Sequence, residues 1–453
     1  MGITVDTDKD DFRIKGDDGT YNGQLIGSVD DRLKVSVLEY DENAPNTAFP
    51  VRLPTVTDMT NRIRVAIANQ ILETTWQYDL LPRIYSTSVT GAGTVTAPAQ
   101  TDPAYAKIAT TTASGDLAVL QTKRFLIYQP FRTHILTMGM ILGQGKTNLV
   151  KRFGQFSNFN GWYFEQSGSN FYVGYRNNSF EVSGTIDTKI ERASWNIDKL
   201  DGTGPSGLDI DTDLHNALTF YIEFVWHGTQ GIIWGIQYFD RQFAVHRLIW
   251  STTANKPFVR SALLPVRYEM ENTGAVASAS TWFVGPNSFN IEGGEERKGQ
   301  RFTASNATTS KLVNNTTTPT LILAVRPKEF FNSVRNRGTI IPLEYSVLTD
   351  NDIFVEILIQ SIVTGGTWIS VDNTSISEYN TTFTSISGGY VVGGGYAGAA
   401  GNVAGSLANT FEANAFVCQD ALNSNAQLAI VIRARKLGNN ADVYGQLKWK
   451  EVY

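Results

Sequence analysis

Residues 195–208 read Trp-Asn-Ile-Asp-Lys-Leu-Asp-Gly-Thr-Gly-Pro-Ser-Gly-Leu, and the reading of this stretch decides the fold. Asp198, Asp201, Gly202, Gly204, Pro205 and Gly207 are turn-forming residues packed at high density, which describes a rigid polar loop. Around it lie aromatic runs with strand character: Trp162–Tyr175 broken by Ser167-Gly168, then Thr219–His227 and Gly231–Phe239. Alternation in the second run places Tyr221, Glu223 and Val225 on one face, and Phe220, Ile222, Phe224 and Trp226 on the other. Further strands are expected at 117–129, 134–142, Phe180–Ile186, Lys189–Ala193, Gln242–Trp250 and Leu264–Glu271. Short strands at this spacing predict a mainly β chain with a central jelly-roll or lectin-like sandwich over residues 116–295.

The flanking regions differ. Residues 1–45 are polar, with Asp18-Gly19 and Asn22-Gly23 as turn signals, and read as an N-terminal arm or small β element. Residues 46–115 read as a helix-containing and loop linker. In this region Ile63, Ala66, Ile67 and Ile71 recur at helical spacing, Asp58 or Thr60 serves as cap, and residues 85–115 form a Ser/Thr/Gly-rich excursion. Residues 296–453 read as a β-rich C-terminal region with a glycine-rich loop at 388–405.

Composition narrows the function. Charged residues make up 18% of the 453, below the roughly 25% usual in soluble domains, and 40 glycines help fill their place, which suits strands and turns. The net charge of -5 without a basic run argues against direct nucleic-acid binding. One cysteine, Cys418, excludes an intrachain disulfide framework. No 18-residue apolar run is present, so no helical membrane span is expected.

Candidate chemistry is sparse. Gly143-Gln144-Gly145-Lys146-Thr147 has the flavour of a phosphate loop but lacks its full spacing and the helix that must follow, so a turn is expected. His134, His215, His227 and His246 form no metal motif, although His227 and His246 fall on neighbouring strands. Cys418 has the neighbours of a buried apolar position. Glycosidic cleavage needs two carboxyl groups about 5–10 Å apart; Glu165, Glu191, Glu223 and Glu269 are the candidates, with no partner identifiable for Glu223. Asp198, Asp201, Asp209, Asp211 and Asp213 supply hard oxygens without EF-hand spacing. Trp162, Trp195, Trp226, Trp234 and Trp250 are either core anchors or sugar-stacking faces. The expectation is therefore no catalytic residues, no metal and no cofactor.

Residues 118–274, about a third of the chain, resemble a largely uncharacterised family of virion structural proteins of tailed phages and large DNA viruses. The resemblance rests on QTKRFLIYQP (121–130), FGQFSNFNGWYFEQ (153–166), WNIDKLDGTGPSGLDID (195–211), YIEFVWHGTQGIIWGI (221–236) and LPVRYEMENTG (264–274). It implies a non-enzymatic virion component, such as an appendage, adaptor, baseplate or capsid-attached protein. Homo-oligomerisation, other virion proteins as partners and a virion location are implied with it. The alternative is a receptor- or glycan-binding module of the particle, with a glycan-degrading tail enzyme behind it.

Overall fold

The computed structural model describes residues 4–6, 13–15, 21–24, 68–98, 104–177, 187–210, 215–225, 231–239, 241–249, 257, 259–293, 299–399, 401–407, 417–423 and 427–453. Two compact units divide the chain, Met1–Arg64 and Val65–Tyr453. The first contains a small antiparallel sheet of Thr4–Asp6, Arg13–Lys15 and Tyr21–Gln24. Asn22-Gly23, expected to turn, lies inside the third of these strands.

The second unit is built from two β-sandwiches in sequence, and the chain is a mainly β jelly-roll or lectin-like β-sandwich protein. In the first sandwich, sheet I has the order Asp187–Glu191, Asn170–Asn177, Asn160–Ser167, Leu149–Phe156, Val266–Asn272, Leu117–Thr122, Tyr85–Thr90. Sheet II has the order Arg241–Leu248, Ile232–Tyr238, Ala217–Phe224, His134–Ile141, Ser280–Glu292, Ala106–Thr110, Thr94–Thr96, with Ala68–Thr74 also paired to Ser280–Glu292. Their inner faces meet in a core of Phe153, Trp162, Phe164, Phe220, Ile222, Phe224, Trp234, Tyr268 and Trp282, each fully buried. Phe220 sits edge-on to both Phe153 (4.9 Å) and Phe164 (5.2 Å), the geometry that aligns ring edges with ring faces.

The second sandwich pairs sheet III with sheet IV. The backbone of sheet III runs Gln300–Ser305, Ala441–Val452, Thr339–Thr349, Asn402–Ser406. Sheet IV runs Ile369–Ser370, Ser377–Asn380, Thr320–Pro327, Ala429–Lys436, Ile353–Thr364, Ser385–Ala397. The two sandwiches are joined by hydrogen bonds from Ser86 Oγ to Asp420 Oδ2 (2.6 Å), Ala421 N to Lys123 O (2.8 Å) and Gln360 Nε2 to Arg83 O (2.8 Å).

Several local expectations change. Ala68–Thr74 is a strand, not part of a helix; residues 57–67 of that expected helix lie outside the described residues. The register shift between Phe289 and Asn290 skips Ile71, so Ile71 and Leu72 are both buried and strict alternation is lost. The excursion at 85–115 contributes Tyr85–Thr90, Thr94–Thr96 and Ala106–Thr110 to the first sandwich. The glycine-rich stretch forms the strands Ser385–Ala397 and Asn402–Ser406. The strand expected at Phe180–Ile186 lies outside the described residues.

Candidate functional site

The opening loop is stitched into sheet II. Trp195 is buried, edge-on to Phe171 at 5.9 Å, and its Nε1 donates to Ile190 O at 3.3 Å. Ile197 N and Asp198 N both donate to Val245 O (3.2 and 3.1 Å), and Asn196 exchanges two hydrogen bonds with the Arg247 backbone. Asp198 accepts from Leu200 N through Oδ1 and from Ser206 N through Oδ2, both at 2.8 Å. Asp201 Oδ1 accepts from Thr203 N and Oγ1, and these donors hold its carboxyl below the usual range. These carboxylate oxygens organise the loop itself. Among the described residues no group of three or more His, Cys, Asp or Glu is placed to hold a metal; Asp211 and Asp213 lie outside them.

Gly204 packs directly against that hub, and a Cβ there would stand 2.0 Å from Asp198 Oδ1. Pro205 follows it, Gly207 N donates to Gly204 O at 3.0 Å, and Gly202 and Gly207 adopt φ of 78° and 68°, a backbone region glycine enters without strain. Gly204→Ala is expected to lower stability by about 1–3 kcal/mol through overpacking. Denaturant unfolding checks this, and an unchanged midpoint would remove Asp198 as the hub.

The carboxylates separate onto two different faces. On the outer face of sheet I, Arg152 Nε donates to Glu165 Oε2 (2.7 Å), while its Nη1 donates to Glu269 Oε1 (2.6 Å) and Glu271 Oε2 (2.9 Å). Lys189 Nζ takes the other oxygen of Glu165 at 2.6 Å, and Arg267 Nε takes the other oxygen of Glu269 at 2.8 Å. Arg176 pairs with Asp187 at 2.8 Å on the adjoining edge. Burial pushes the Glu269 carboxyl up, but Arg267, Arg152 and Arg176 together outweigh it and hold the group at about 2. A general acid has to carry a proton near neutral pH. Glu269 does not, and both oxygens of Glu165 are taken. Glu223 lies on the outer face of sheet II, across the sandwich from this ladder, because Phe220, Ile222 and Phe224 of its strand face the core. Glu191 is exposed on the edge strand Asp187–Glu191. Glu165 and Glu269 are thus brought together, and Glu223 is apart from them.

The outer face of sheet II also carries an open groove of about 500 Å³. Gly139 and Gly285 leave its floor without side chains, and Thr137, Thr219 and Ser288 line it with hydroxyls. Gln70, Glu73 and the half-buried Tyr105 complete the wall, the Tyr105 ring standing edge-on to Phe283 at 6.3 Å. Thr74 and Asn287 line the groove and are tied below it through Tyr85, whose hydroxyl meets Thr74 Oγ1 at 2.8 Å and Asn287 Oδ1 at 3.2 Å. Sequence reasoning missed this site, because its members come from five separated segments. The one local signal was the run of small and hydroxyl residues alternating with apolar ones at 134–141. The expected tryptophan faces are not here: Trp162, Trp195 and Trp234 are buried in the core, and Trp226 and Trp250 lie outside the described residues.

The remaining candidates serve the scaffold. His134 is buried against Phe224 (4.9 Å), accepts from Gln129 N at 3.0 Å, and burial lowers its pKa to about 3. His246 Nδ1 accepts from Asn196 N at 3.3 Å and burial lowers it to about 4; His227 lies outside the described residues. His215 Nδ1 lies 3.2 Å from Gly143 O. Burial pushes the Cys418 thiol far up. Residues 143–147 join His134–Ile141 to the strand Leu149–Phe156, with no helix following, and Lys146 Nζ donates to Ser278 and Ala279 carbonyls.

No family model matches the chain, and no curated protein matches it. Solved structures do. A legume lectin-like domain from Entamoeba histolytica is 10% identical, with a TM-score of 0.30 over 49% of this chain and 98% of that one. The laminarinase from Rhodothermus marinus is 9% identical, with a TM-score of 0.33 over 50% and 98%. The CBM2 module of the evolved Dit of Lactobacillus casei BL23 phage J-1 is 7% identical, with a TM-score of 0.31 over 51% and 99%.

These findings correct the resemblance drawn from residues 118–274. No family model matches the chain, so its assignment to the virion structural-protein family is withdrawn; the matched structures are described as lectin-like, laminarinase and glycosyl hydrolase proteins. The assembly function, the homo-oligomer and virion protein partners, and the virion location followed from that family and fall with it. The expectation of a non-enzyme is withdrawn as well; the matched structures include ones described as a laminarinase, a glycosyl hydrolase and a transglycosylase. Among the described residues, no helix is long and apolar enough to cross a membrane.

Proposed function

We propose that the chain binds carbohydrate, in the groove on the outer face of sheet II. The observation that carries this reading is the groove's composition. Hydroxyls and amides from Thr137, Thr219, Ser288 and Gln70 can exchange hydrogen bonds with sugar hydroxyls, and Glu73 adds a charged acceptor. Tyr105 supplies an aromatic surface for the apolar face of a sugar ring. The glycine floor lets a ligand lie close to the sheet, and the Thr74–Tyr85–Asn287 chain holds that floor in place before a ligand arrives.

Calorimetric titration with cellohexaose, laminarihexaose, mannohexaose and N-acetylchitohexaose tests the reading. At least one is expected to bind, and Tyr105→Ala is expected to weaken it about tenfold or more, a loss of about 1.4 kcal/mol. Glu73→Gln provides a second variant that keeps the shape of the wall. Binding unaffected by both substitutions, or no binding to any of the four, rules the groove out. Reducing-end release measured in the same samples separates binding from cleavage.

A further inference from the structure

We infer that the second sandwich carries a second glycan-binding groove, running across the strands on the outer face of sheet III. This rests on the reading of the chain as a carbohydrate-binding protein. Two adjoining depressions, of about 390 and 540 Å³, share the side chains Glu344 and Lys448. Between them they cross all four principal strands of the sheet, from Thr303 through Lys448 and Glu344 to Ala404. Three interstrand steps of about 4.8 Å make that path about 14 Å long, suited to an extended chain molecule rather than a compact one.

The lining selects the chemistry. Arg301 and Lys448 are balanced by Glu344 and Asp372, so neither a polyanion nor a polycation is favoured. Asp372 Oδ1 is already occupied by the backbone N–H groups of Thr374 and Ser375. Lys448 Nζ and Glu344 Oε2 meet at 2.9 Å with both side chains about half exposed (51% and 54%). This pair offers a donor and an acceptor side by side, the complement of two neighbouring hydroxyls, each of which donates and accepts. Gln446 and Thr303 extend the same polar row, linked Nε2 to Oγ1 at 3.0 Å, and Ser346 continues it on the next strand. The half-buried Phe302 ring turns the other way, onto core Trp449 at 6.5 Å, which leaves the exposed strand positions of the groove polar. A neutral, polyhydroxylated oligosaccharide matches this arrangement.

Hydrogen–deuterium exchange of the full chain with the four oligosaccharides distinguishes the two grooves. The wild type is expected to show protection over 300–305, 342–348 and 444–450, separately from protection over 68–75, 134–141 and 280–290. Protection in the second sandwich should persist in Tyr105→Ala. It should disappear in the charge-neutral double variant Glu344→Gln, Lys448→Met, whose affinity for this groove should fall about tenfold. Because both side chains are exposed, that variant retains the fold. If only the first set is protected, the second groove is overturned while the proposed function stands. Protection confined to the second set overturns the first groove and keeps this one, and no protection in either set overturns both.

Discussion

Arg152→Met is expected to lower stability by about 3–5 kcal/mol, the cost of leaving buried charges without their partner. Arg152 is the only cation that touches Glu165, Glu269 and Glu271 together among the described residues. Its removal leaves Glu165, with no exposed side-chain surface, dependent on Lys189 alone. The pH dependence follows from Glu269, whose folded carboxyl sits at about 2, below its unfolded value. A depressed carboxylate contributes stability that is fully present above the unfolded pKa and is lost as pH falls toward 2. In Arg152→Met that acid-labile portion shrinks, so the difference between variant and wild type narrows from pH 7 to pH 3. Urea unfolding at both pH values measures this. A companion Glu165→Gln and the double variant complete a cycle, in which a coupling of about 0.5–3 kcal/mol is expected. Equal midpoints for Arg152→Met and wild type at pH 7 would show that the ladder contributes nothing.

The second large effect concerns Lys151, on the same strand but facing inward. It is 1% exposed, and its Nζ donates to Leu142 O and, at 3.1 Å, to Gln166 Oε1. No carboxylate pairs with it among the described residues. Burial, with the nearby Lys146 charge adding to it, lowers its pKa from 10.5 to about 7. The sign is opposite to that of a paired lysine. Between pH 7 and 10.5 the unfolded chain binds a proton that the folded chain does not, so stability rises as pH climbs through this window. The full change is of the order of 4–5 kcal/mol. Lys151→Met is expected to flatten this rise. Loss of the two hydrogen bonds lowers the variant's stability by about 1–3 kcal/mol for each buried acceptor left unmatched, a cost comparable to the gain from removing the buried charge. The slope between pH 7 and 9.5 is therefore the diagnostic quantity, and an identical slope in both proteins would show that Lys151 does not titrate there.

Lys151 and Arg152 also show why part of the fold was hard to read. Their strand, Leu149–Phe156, lies near the centre of sheet I, yet two adjacent cations look like solvent-exposed residues in isolation. Only the neighbouring strands supply Glu165 and Glu269 on one face and Gln166 on the other. Ser280–Glu292 was missed for a different reason. Gly285-Pro286 interrupts it in sequence, but the strand continues through a register shift between Val284 and Asn287. A bulge of the same kind at Ile71 buries two successive residues of Ala68–Thr74, so strict strand alternation is absent there.

The sequence by itself determined the class of fold and much of its inner surface. Alternation over Ala217–Phe224 is a local property of a pleated backbone, so Phe220, Ile222 and Phe224 could be assigned to the core and Glu223 to the other face without knowing any partner. The tertiary structure alone decided which outer residues meet. Two acids of the same type, Glu223 and Glu269, lie on opposite outer faces because their strands belong to different sheets. Tyr105, Thr137, Thr219 and Ser288 converge because Ala217–Phe224, His134–Ile141, Ser280–Glu292 and Ala106–Thr110 are successive neighbours in sheet II. Period and turn chemistry are written in short-range spacing, whereas a binding surface depends on strand order, and strand order is set by packing the whole core.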